Sequence, residues 1–294
     1  MATTVLQSFS NFKQNLEITG LQENIVSTRQ ANVREAVQKE MVVSDTFLTG
    51  SYKRSTMIAP LAEADIDIFV VLDVKYFWNY NAGQNGGQAG LLDALKRVLR
   101  RTYTRTPDIG RNGQAVSIRF EDFLIDVVPG FTRQGGGYLI PNSQTQSWIS
   151  TDPQKHVAIS SAANAAHNGD LVPLVKMIKA WNRTHGSFFR SFHLEVMAWS
   201  VLDRVAISNY WSGVRYFFDK ARFLVSKPLL DPVGYGGNVG NYLLGGQKLQ
   251  EAGSKMQAAY ERALKAEEFL SIGRNDEAIA MWRKIFGDYF PAYG

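Results

Sequence analysis

The sequence predicts an α+β protein of two lobes, in which a small mixed sheet with flanking helices precedes an all-helical second half. Three short apolar runs rich in β-branched residues have the pattern of largely buried strands, at 66–72, 115–120 and 123–128. After them, apolar residues recur at helical spacing and no convincing strand pattern follows. We therefore predict two domains, covering residues 1–150 and 151–294.

The composition is that of an ordinary globular protein, and it excludes several classes of function. The 294 residues are 45% hydrophobic and 20% charged, and no apolar run approaches the roughly 20 residues of a membrane span. The N-terminus has neither the basic nor the apolar segment of a signal peptide. Because cysteine is absent, disulfides, thiolate catalysis and cysteine zinc sites are excluded, and a reducing cytoplasm is expected. The formal charge of +5 weakly favours anionic partners.

The first lobe is expected to begin with a helix over 20–41, where apolar residues recur at helical spacing without proline. Thr19 is suited to cap the start of this helix. A turn of small residues, LTGSY, then leads to the first apolar strand, from about Ile66. The glycine-rich stretch 83–90 predicts a flexible loop, and a basic helix is predicted over 91–103.

The second lobe is predicted to be helical throughout. The segment 133–156 is rich in loop-forming residues and is interpreted as the transition between the lobes. Helical patterns then occur at 157–168, 171–184, 193–208, 211–224, 248–270 and 276–286. The last helix is well bounded, because Asn275 or Asp276 can cap its start and Gly287 can end it.

Three aspartates in the predicted sheet point to a metal site. Asp65 and Asp67 stand at the start of the first apolar strand and face the same side, because residues i and i+2 of a strand share a face. Crowding such carboxylates without a cation is costly. Asp126 lies inside another apolar strand of the same small sheet. Any one of them alone would be read as an exposed strand end, but three carboxylates together suit Mg²⁺ ions, which assist phosphoryl-type transfer in pairs.

Gly50 and Ser51 add a potential phosphate-binding turn ahead of these aspartates. Backbone N–H groups of a glycine turn and a serine hydroxyl together bind phosphate oxygens. The dipeptide alone is common, but here it follows a long helix and precedes the D-x-D pair by fourteen residues. G-S, then D-I-D, then Asp126 resembles the signature of the DNA polymerase β-like nucleotidyltransferases. The finer pattern, GSY-x-R-x-T, then P-L, then D-I-D, resembles the CD-NTases, bacterial relatives of cyclic GMP-AMP synthase and oligoadenylate synthase.

The resemblance extends over about residues 9–291. The segments that carry it in the second half are YLIPNSQTQSWISTDPQKH, LVPLVKMIKAWNR, SFHLEVMAW and DEAIAMWRKIFGDYFP. CD-NTases make cyclic oligonucleotide signals in anti-phage defence. The resemblance therefore implies a polymerase β-like core, a helical C-terminal domain like that of oligoadenylate synthase, and an active site in the cleft between them.

The resemblance also assigns roles to residues of this chain. Asp65 and Asp67 would bind two Mg²⁺ ions, for which Mn²⁺ can substitute, and Asp126 would complete one metal site and favour deprotonation of the acceptor hydroxyl. The implied nucleotide contacts are Gly50, Ser51, Arg54, Lys179, Ser191 and Phe192. Gly50, Ser51, Lys179 and Ser191 would hold phosphates, and Phe192 would stack on a base. For Arg54, a phosphate contact and a role in orienting its own loop are both open.

The implied activity is the joining of nucleoside triphosphates, ATP or GTP or pyrimidine nucleotides, into a cyclic di- or trinucleotide with release of pyrophosphate. A template-independent enzyme that makes linear oligonucleotides or tails RNA is an alternative. A non-catalytic nucleotide-binding interaction module is another, although three intact carboxylates weigh against it. The expected location is the bacterial cytoplasm, without a membrane partner.

The resemblance also bears on protein partners. Some relatives are activated by operon-encoded proteins, and some have their C-terminal residue joined to a target by a conjugating, ubiquitin-transfer-like partner. Gly294 suits that chemistry, whereas the few residues after Pro291 favour an ordinary chain end. Since there is no cysteine for a DNA-sensing zinc element, direct activation by double-stranded nucleic acid is not expected.

Three further features are assigned no function. The glycine-rich stretch 234–246 matches neither a P-loop nor a dinucleotide-binding pattern and is interpreted as a loop. His193 is expected to be a packing or hydrogen-bonding residue. The basic segment 95–101 is interpreted as a solvated helix face, with a nucleic-acid contact as the alternative.

Overall fold

The computed structural model describes residues 2–106, 108–243 and 245–294. These residues group into two compact units. One unit is Ile18–Ala158, and the other joins the N-terminal residues up to Glu17 to Ile159–Gly294. The predicted boundary lies at residue 150, whereas these units divide at residue 158, and the N-terminal residues up to Glu17 group with the helical unit instead of with the sheet.

The Ile18–Ala158 unit is built on a mixed sheet. Its elements in chain order are α2 (Gly20–Glu40), β1 (Val43–Thr49), the short helix α3 (Gly50–Lys53), β2 (Asp65–Leu72), α4 (Gly87–Thr102), β3 (Ile109–Asn112), β4 (Ala115–Arg119), β5 (Leu124–Thr132), β6 (Tyr138–Asn142) and β7 (Ser147–Thr151). The strand order is β1-β2-β5-β4-β3, and β6 pairs with the end of β5 and with β7. Strands β2 and β5 are parallel, and every other pair is antiparallel.

Alternate apolar residues of the sheet form the core of this unit. Ile66 and Ile68 of β2 are fully buried, as are Ile125 and Val127 of β5. They belong to one cluster with the apolar faces of α2 and α4, so burial of these β-branched side chains fixes which side of each strand faces the helices. The residues at alternate positions, among them the aspartates, therefore face the other side.

Several local predictions for the sheet unit are confirmed and two are corrected. Thr19 caps α2 with a complete capping box, in which its side chain and that of Gln22 each accept a backbone N–H from the other residue. The predicted loop 83–90 is partly wrong, because α4 already begins at Gly87. The predicted transition 133–156 is wrong in its local structure, because it contains the β6–β7 hairpin and the start of the helix α5 (Pro153–Ala166). Cross-strand pairs such as Pro141 with Trp148 hold this hairpin despite its polar composition.

The second unit is helical, as predicted. Its elements are α1 (Val5–Asn15), the greater part of α5 (Pro153–Ala166), α6 (Leu171–Thr184), α7 (Ser191–Leu202), α8 (Tyr210–Leu224), α9 (Gly246–Ser271) and α10 (Asn275–Phe286). Apart from two isolated bridges, no strand occurs after residue 153 within the described residues. None of the described helices is both long enough and apolar enough to cross a membrane.

An aromatic cluster explains why the N-terminus belongs to this unit. Phe9 and Phe12 of α1 are fully buried. The Phe9 ring lies 5.1 Å from Trp282 and 5.0 Å from Phe290, and the Phe12 ring lies 4.6 Å from Phe286. Buried aromatic pairs of this kind contribute more than their area alone. The helix α1 therefore completes the core around α10.

The ends of α10 agree only in part with prediction. Gly287 ends the helix with φ of +59°, a conformation that favours glycine. The predicted cap is corrected, because Arg274 occupies the cap position and no side chain caps the start. Asn275 instead accepts the backbone N–H of Val5, 3.3 Å away, and so ties α1 to α10.

Candidate active site

The parallel pair β2–β5 places two of the predicted carboxylates side by side. Asp67 is the register partner of Asp126, and Asp65 lies two residues earlier on the same face of β2. All three lie near the starts of their strands and are exposed or half-buried, whereas the alternate isoleucines are buried. The sheet therefore presents three carboxylates on the side opposite the helix-covered core.

Burial and mutual repulsion act on Asp126. Burial is the largest cause that raises the pKa of its carboxyl above the usual range, and the charge of Asp65 raises it further. The hydroxyl of Ser117 donates to Asp126 Oδ1 and acts in the opposite direction. Ser117 faces Asp126 across the β4–β5 pair. Sequence analysis did not select Ser117, since the contact depends on strand register.

The Gly50 turn lies against the Asp67 carboxylate. Gly50 has φ of +67°, and a Cβ placed on it would lie 1.7 Å from Asp67 Oδ2. Any other residue would therefore displace the carboxylate as well as strain the backbone. Ser51 follows in α3, and its carbonyl accepts the N–H groups of Thr56 and Met57 at 2.9 and 3.1 Å, which fixes the turn. The predicted G-S turn therefore packs directly against the D-x-D pair.

The donor chemistry of this site fits a hard divalent cation. Carboxylate oxygens are the ligands that Mg²⁺ prefers, and a cation would relieve the repulsion that contributes to the raised pKa of Asp126. The carboxylate oxygens of the three aspartates do not converge on a common point in this structure. Among the described residues, no three acidic or histidine side chains are grouped closely enough to hold an ion. The Asp126 carboxylate is instead turned toward Ser117.

Arg54 lies in the same turn and is buried, with 9% of its surface exposed. Its backbone N–H donates to the Gly50 carbonyl at 3.2 Å and ends α3. This contact ties the residue to the shape of the turn. The choice between a phosphate contact and an orienting role for its side chain stays open.

The other predicted nucleotide contacts lie in the helical unit, where Lys179 has an acidic partner. Lys179 Nζ of α6 lies 3.1 Å from Glu195 Oε1 of α7, and the two side chains are 6% and 0% exposed. Sequence analysis did not select Glu195 as this partner. Ser191 is the exposed first residue of α7, and the half-buried Phe192 ring lies 6.0 Å from Trp199. Their contacts with nucleotide stay predictions.

The sheet topology and the D-x-D strand paired with a third aspartate define a nucleotidyltransferase. The family follows from the sequence: the chain belongs to the Second Messenger Oligonucleotide or Dinucleotide Synthetase (SMODS) family, whose domain matches residues 3–164. The predicted relationship to the CD-NTases is therefore confirmed.

Individual relatives agree with this assignment over nearly the whole chain. A cyclic AMP-AMP-AMP synthase from an Acinetobacter strain is 27% identical over 98% of this chain and 86% of its own length. CdnC from Escherichia coli MS115-1, solved with ATP, superposes with a TM-score of 0.78 at 19% identity over 98% of this chain and 99% of CdnC. CdnC has also been solved in a complex with a HORMA protein. Apo DncV from Vibrio cholerae, a cyclic AMP-GMP synthase, gives 0.79 at 15% identity over 99% of this chain and 97% of DncV. These two structures show a shared fold.

Proposed function

We propose that this protein joins nucleoside triphosphates into a cyclic di- or trinucleotide second messenger, with release of pyrophosphate, in anti-phage defence signalling. The observation that carries the proposal is the register of Asp67 with Asp126, with the Gly50 turn packed on Asp67. That arrangement supplies a cation site beside a phosphate-binding turn within a chain of the SMODS family.

Each residue of the turn and the strands has a task in this proposal. Gly50 and Ser51 hold the triphosphate of the donor nucleotide through backbone N–H groups and the serine hydroxyl. Asp65, Asp67 and Asp126 would hold two Mg²⁺ ions, which would supply positive charge for the phosphates and for the attacking oxygen. Asp126 would favour deprotonation of the acceptor hydroxyl, and the Ser117 hydroxyl, which donates to Asp126 Oδ1, would keep that carboxylate in place.

The relatives support ATP as one substrate. The Acinetobacter enzyme is a cyclic AMP-AMP-AMP synthase and DncV is a cyclic AMP-GMP synthase, so adenosine is common to both products. We propose that the product of this chain also contains adenosine. Whether GTP or a pyrimidine nucleotide is incorporated is decided by the experiment below.

A regulatory protein partner is proposed on the same basis. The complex of CdnC with a HORMA protein supports a partner of that type for this chain. Conjugation through Gly294 stays a separate prediction. In the structure, the backbone N–H of Gly294 donates to the carbonyl of Ala2 at 3.3 Å, and the N–H of Ala2 donates to the carbonyl of Gly294 at 3.0 Å.

The proposal is tested by incubating the protein with each pair of labelled nucleoside triphosphates and Mg²⁺ or Mn²⁺, then separating the products. We expect a product that keeps its label after phosphatase treatment and resists exonuclease, because a ring has no free ends. Products that exonuclease degrades would contradict the proposal and favour the alternative, an enzyme that makes linear oligonucleotides. Nucleotide binding without any product would favour the non-catalytic module.

A further inference from the structure

The loop 229–243 of the helical unit, which overlaps the glycine-rich stretch 234–246 that was assigned no function, is folded against the start of α7. Within this loop, Asp231 accepts the N–H groups of Val233 and Gly236 at 3.1 and 2.8 Å. Asn238 Oδ1 accepts those of Leu229 and Gly240 at 3.1 and 2.9 Å. The backbone of the loop is therefore held by its own side chains and can serve as a support.

One side chain of this loop, Tyr242, joins it to α7. The backbone N–H of Arg190 donates to the Tyr242 hydroxyl at 2.9 Å, and the Arg190 guanidinium lies 4.5 Å from the centre of the Tyr242 ring. Arg190 is the cap residue of α7, and no side chain of its own segment caps this helix. The Tyr242 hydroxyl therefore satisfies a donor at a helix start that lacks a local cap.

The same hydroxyl contacts the first turn of α7 at a second point. His193 Nδ1 lies 2.9 Å from the Tyr242 oxygen. The Tyr242 hydroxyl oxygen therefore contacts both Arg190 and His193. A Cβ on Gly240 would lie 2.9 Å from His193 Cε1, so only glycine lets the loop pack this closely on the ring. Ser191 and Phe192 lie between the two residues that Tyr242 contacts.

We infer that Tyr242 is a positioning residue, which orients the first turn of α7 so that Ser191 and Phe192 meet the nucleotide. The inference rests on the proposed function, since it takes Ser191 and Phe192 as nucleotide contacts. Tyr242 itself contacts protein groups in the structure and acts through α7. One glycine of the loop, Gly240, is then explained by its close packing on His193.

The test uses the full chain and the variant Tyr242→Phe, which keeps the ring and removes only the hydroxyl. Two quantities are measured in nucleotide-free and nucleotide-bound protein. The first is hydrogen–deuterium exchange of a peptide covering 189–196. The second is the equilibrium affinity for α,β-methylene-ATP, which binds like ATP but cannot release pyrophosphate. Tyr289→Phe is the control, because among the described residues the Tyr289 hydroxyl has no hydrogen-bond partner.

We expect faster exchange at 189–196 in Tyr242→Phe and an affinity for the analogue that is weaker by roughly three- to tenfold, the effect of one hydrogen bond. The double variant Tyr242→Phe with Ser191→Ala should lose clearly less affinity for the analogue than the product of the two single losses. The reason is that both substitutions act through the same contact of Ser191 with the nucleotide. Tyr289→Phe should match wild type in both measurements.

Unchanged exchange, unchanged affinity, or a double variant whose effects multiply would each overturn the inference. Failure of wild type to bind the analogue would overturn it as well. Wild type that binds the analogue but makes no cyclic product contradicts the proposed function alone, and the binding data still decide the role of Tyr242. If Tyr242→Phe does not fold, Gly240→Ala is the second variant, because its added Cβ would displace the His193 ring from the Tyr242 hydroxyl, and it is held to the same outcomes.

Discussion

Two groups of charged side chains, one in each unit of this protein, are arranged in opposite ways. In the sheet unit, Asp126 has a raised pKa, to which the nearby charge of Asp65 contributes. In the helical unit, Lys179 and Glu195 are almost fully buried but form a pair of opposite charges. The two charges of such a pair compensate each other, whereas neighbouring carboxylates repel each other and are stabilised by an added cation. We therefore expect the first arrangement to bind a ligand, whereas the second joins α6 to α7.

The largest expected effect comes from Asp67→Asn, which keeps the side-chain volume and removes one charge from the proposed cation site. Synthesis should fall by at least about 10³-fold, or about 4 kcal/mol of transition-state stabilisation. The melting temperature without metal should fall little or rise, because repulsion is relieved. Wild-type turnover by this variant would remove the basis for a two-metal reaction.

The buried pair predicts a large effect on stability. Lys179→Ala leaves the fully buried Glu195 without this partner and should lower the free energy of unfolding by about 3–5 kcal/mol. Lys176→Ala is the control, because its partner Glu17 is 51% exposed and stays solvated. Denaturant unfolding measures the free energy of unfolding of both variants. A loss no larger than that of Lys176→Ala would show that the pair does not join α6 to α7.

The predicted phosphate contact of Lys179 can be separated from this structural role. Replacing both partners, as Lys179→Met with Glu195→Leu, should restore most of the stability, because no buried charge is left. If Lys179 also reaches the triphosphate, the double variant should still bind all nucleotides more weakly, and to a similar extent. A loss confined to one base would place Lys179 away from the phosphates.

A smaller loss is expected from Gly50→Ala. The added methyl group would collide with the Asp67 carboxylate, and synthesis should fall by about 10²-fold, in line with the cost of a misplaced catalytic group. Gly83→Ala is the matched control, since Gly83 also has positive φ but nothing lies within 4 Å of its added Cβ. Equal activity of the two variants would mean that the turn does not position Asp67.

The smallest effect concerns pH. Burial lowers the pKa of His193 to about 4, whereas a histidine in the unfolded chain titrates near 6.5. The neutral form is favoured in the fold, so its contribution to stability is complete above about pH 6.5 and is lost as the pH falls toward 4. Melting temperatures at pH 7 and pH 5 should therefore differ more for wild type than for His193→Gln. Identical differences would contradict the prediction.

Much of the sheet unit could be predicted from local patterns. The strands β2, β4 and β5 are short β-branched runs, Thr19 has the side chain and the partner for a capping box, and the D-x-D spacing places two carboxylates on one face. Strand β1 and the β6–β7 hairpin were missed. Residues such as Asp45 and Pro141 weaken the strand pattern, and only pairing with neighbouring strands stabilises them.

The contacts that complete the site depend on distant parts of the chain. Ser117 meets Asp126 through the register of β4 with β5, and Gly50 meets Asp67 because α3 folds back on β2. Neither contact follows from sequence spacing. The contact of Tyr242 with the start of α7 spans about fifty residues of sequence. The sequence therefore predicts which carboxylates form the candidate site, and the fold shows which residues contact two of them, Asp67 and Asp126.

We propose that β2 and β5 bring Asp65, Asp67 and Asp126 together so that they hold two cations with the nucleotide. The most direct measurement is Mn²⁺ binding, followed by electron paramagnetic resonance, to wild type and Asp126→Asn in the presence of α,β-methylene-ATP, with the analogue alone as the blank. We predict two protein-dependent Mn²⁺ ions per wild-type chain and at most one in the variant. Equal binding by the two proteins would contradict the account.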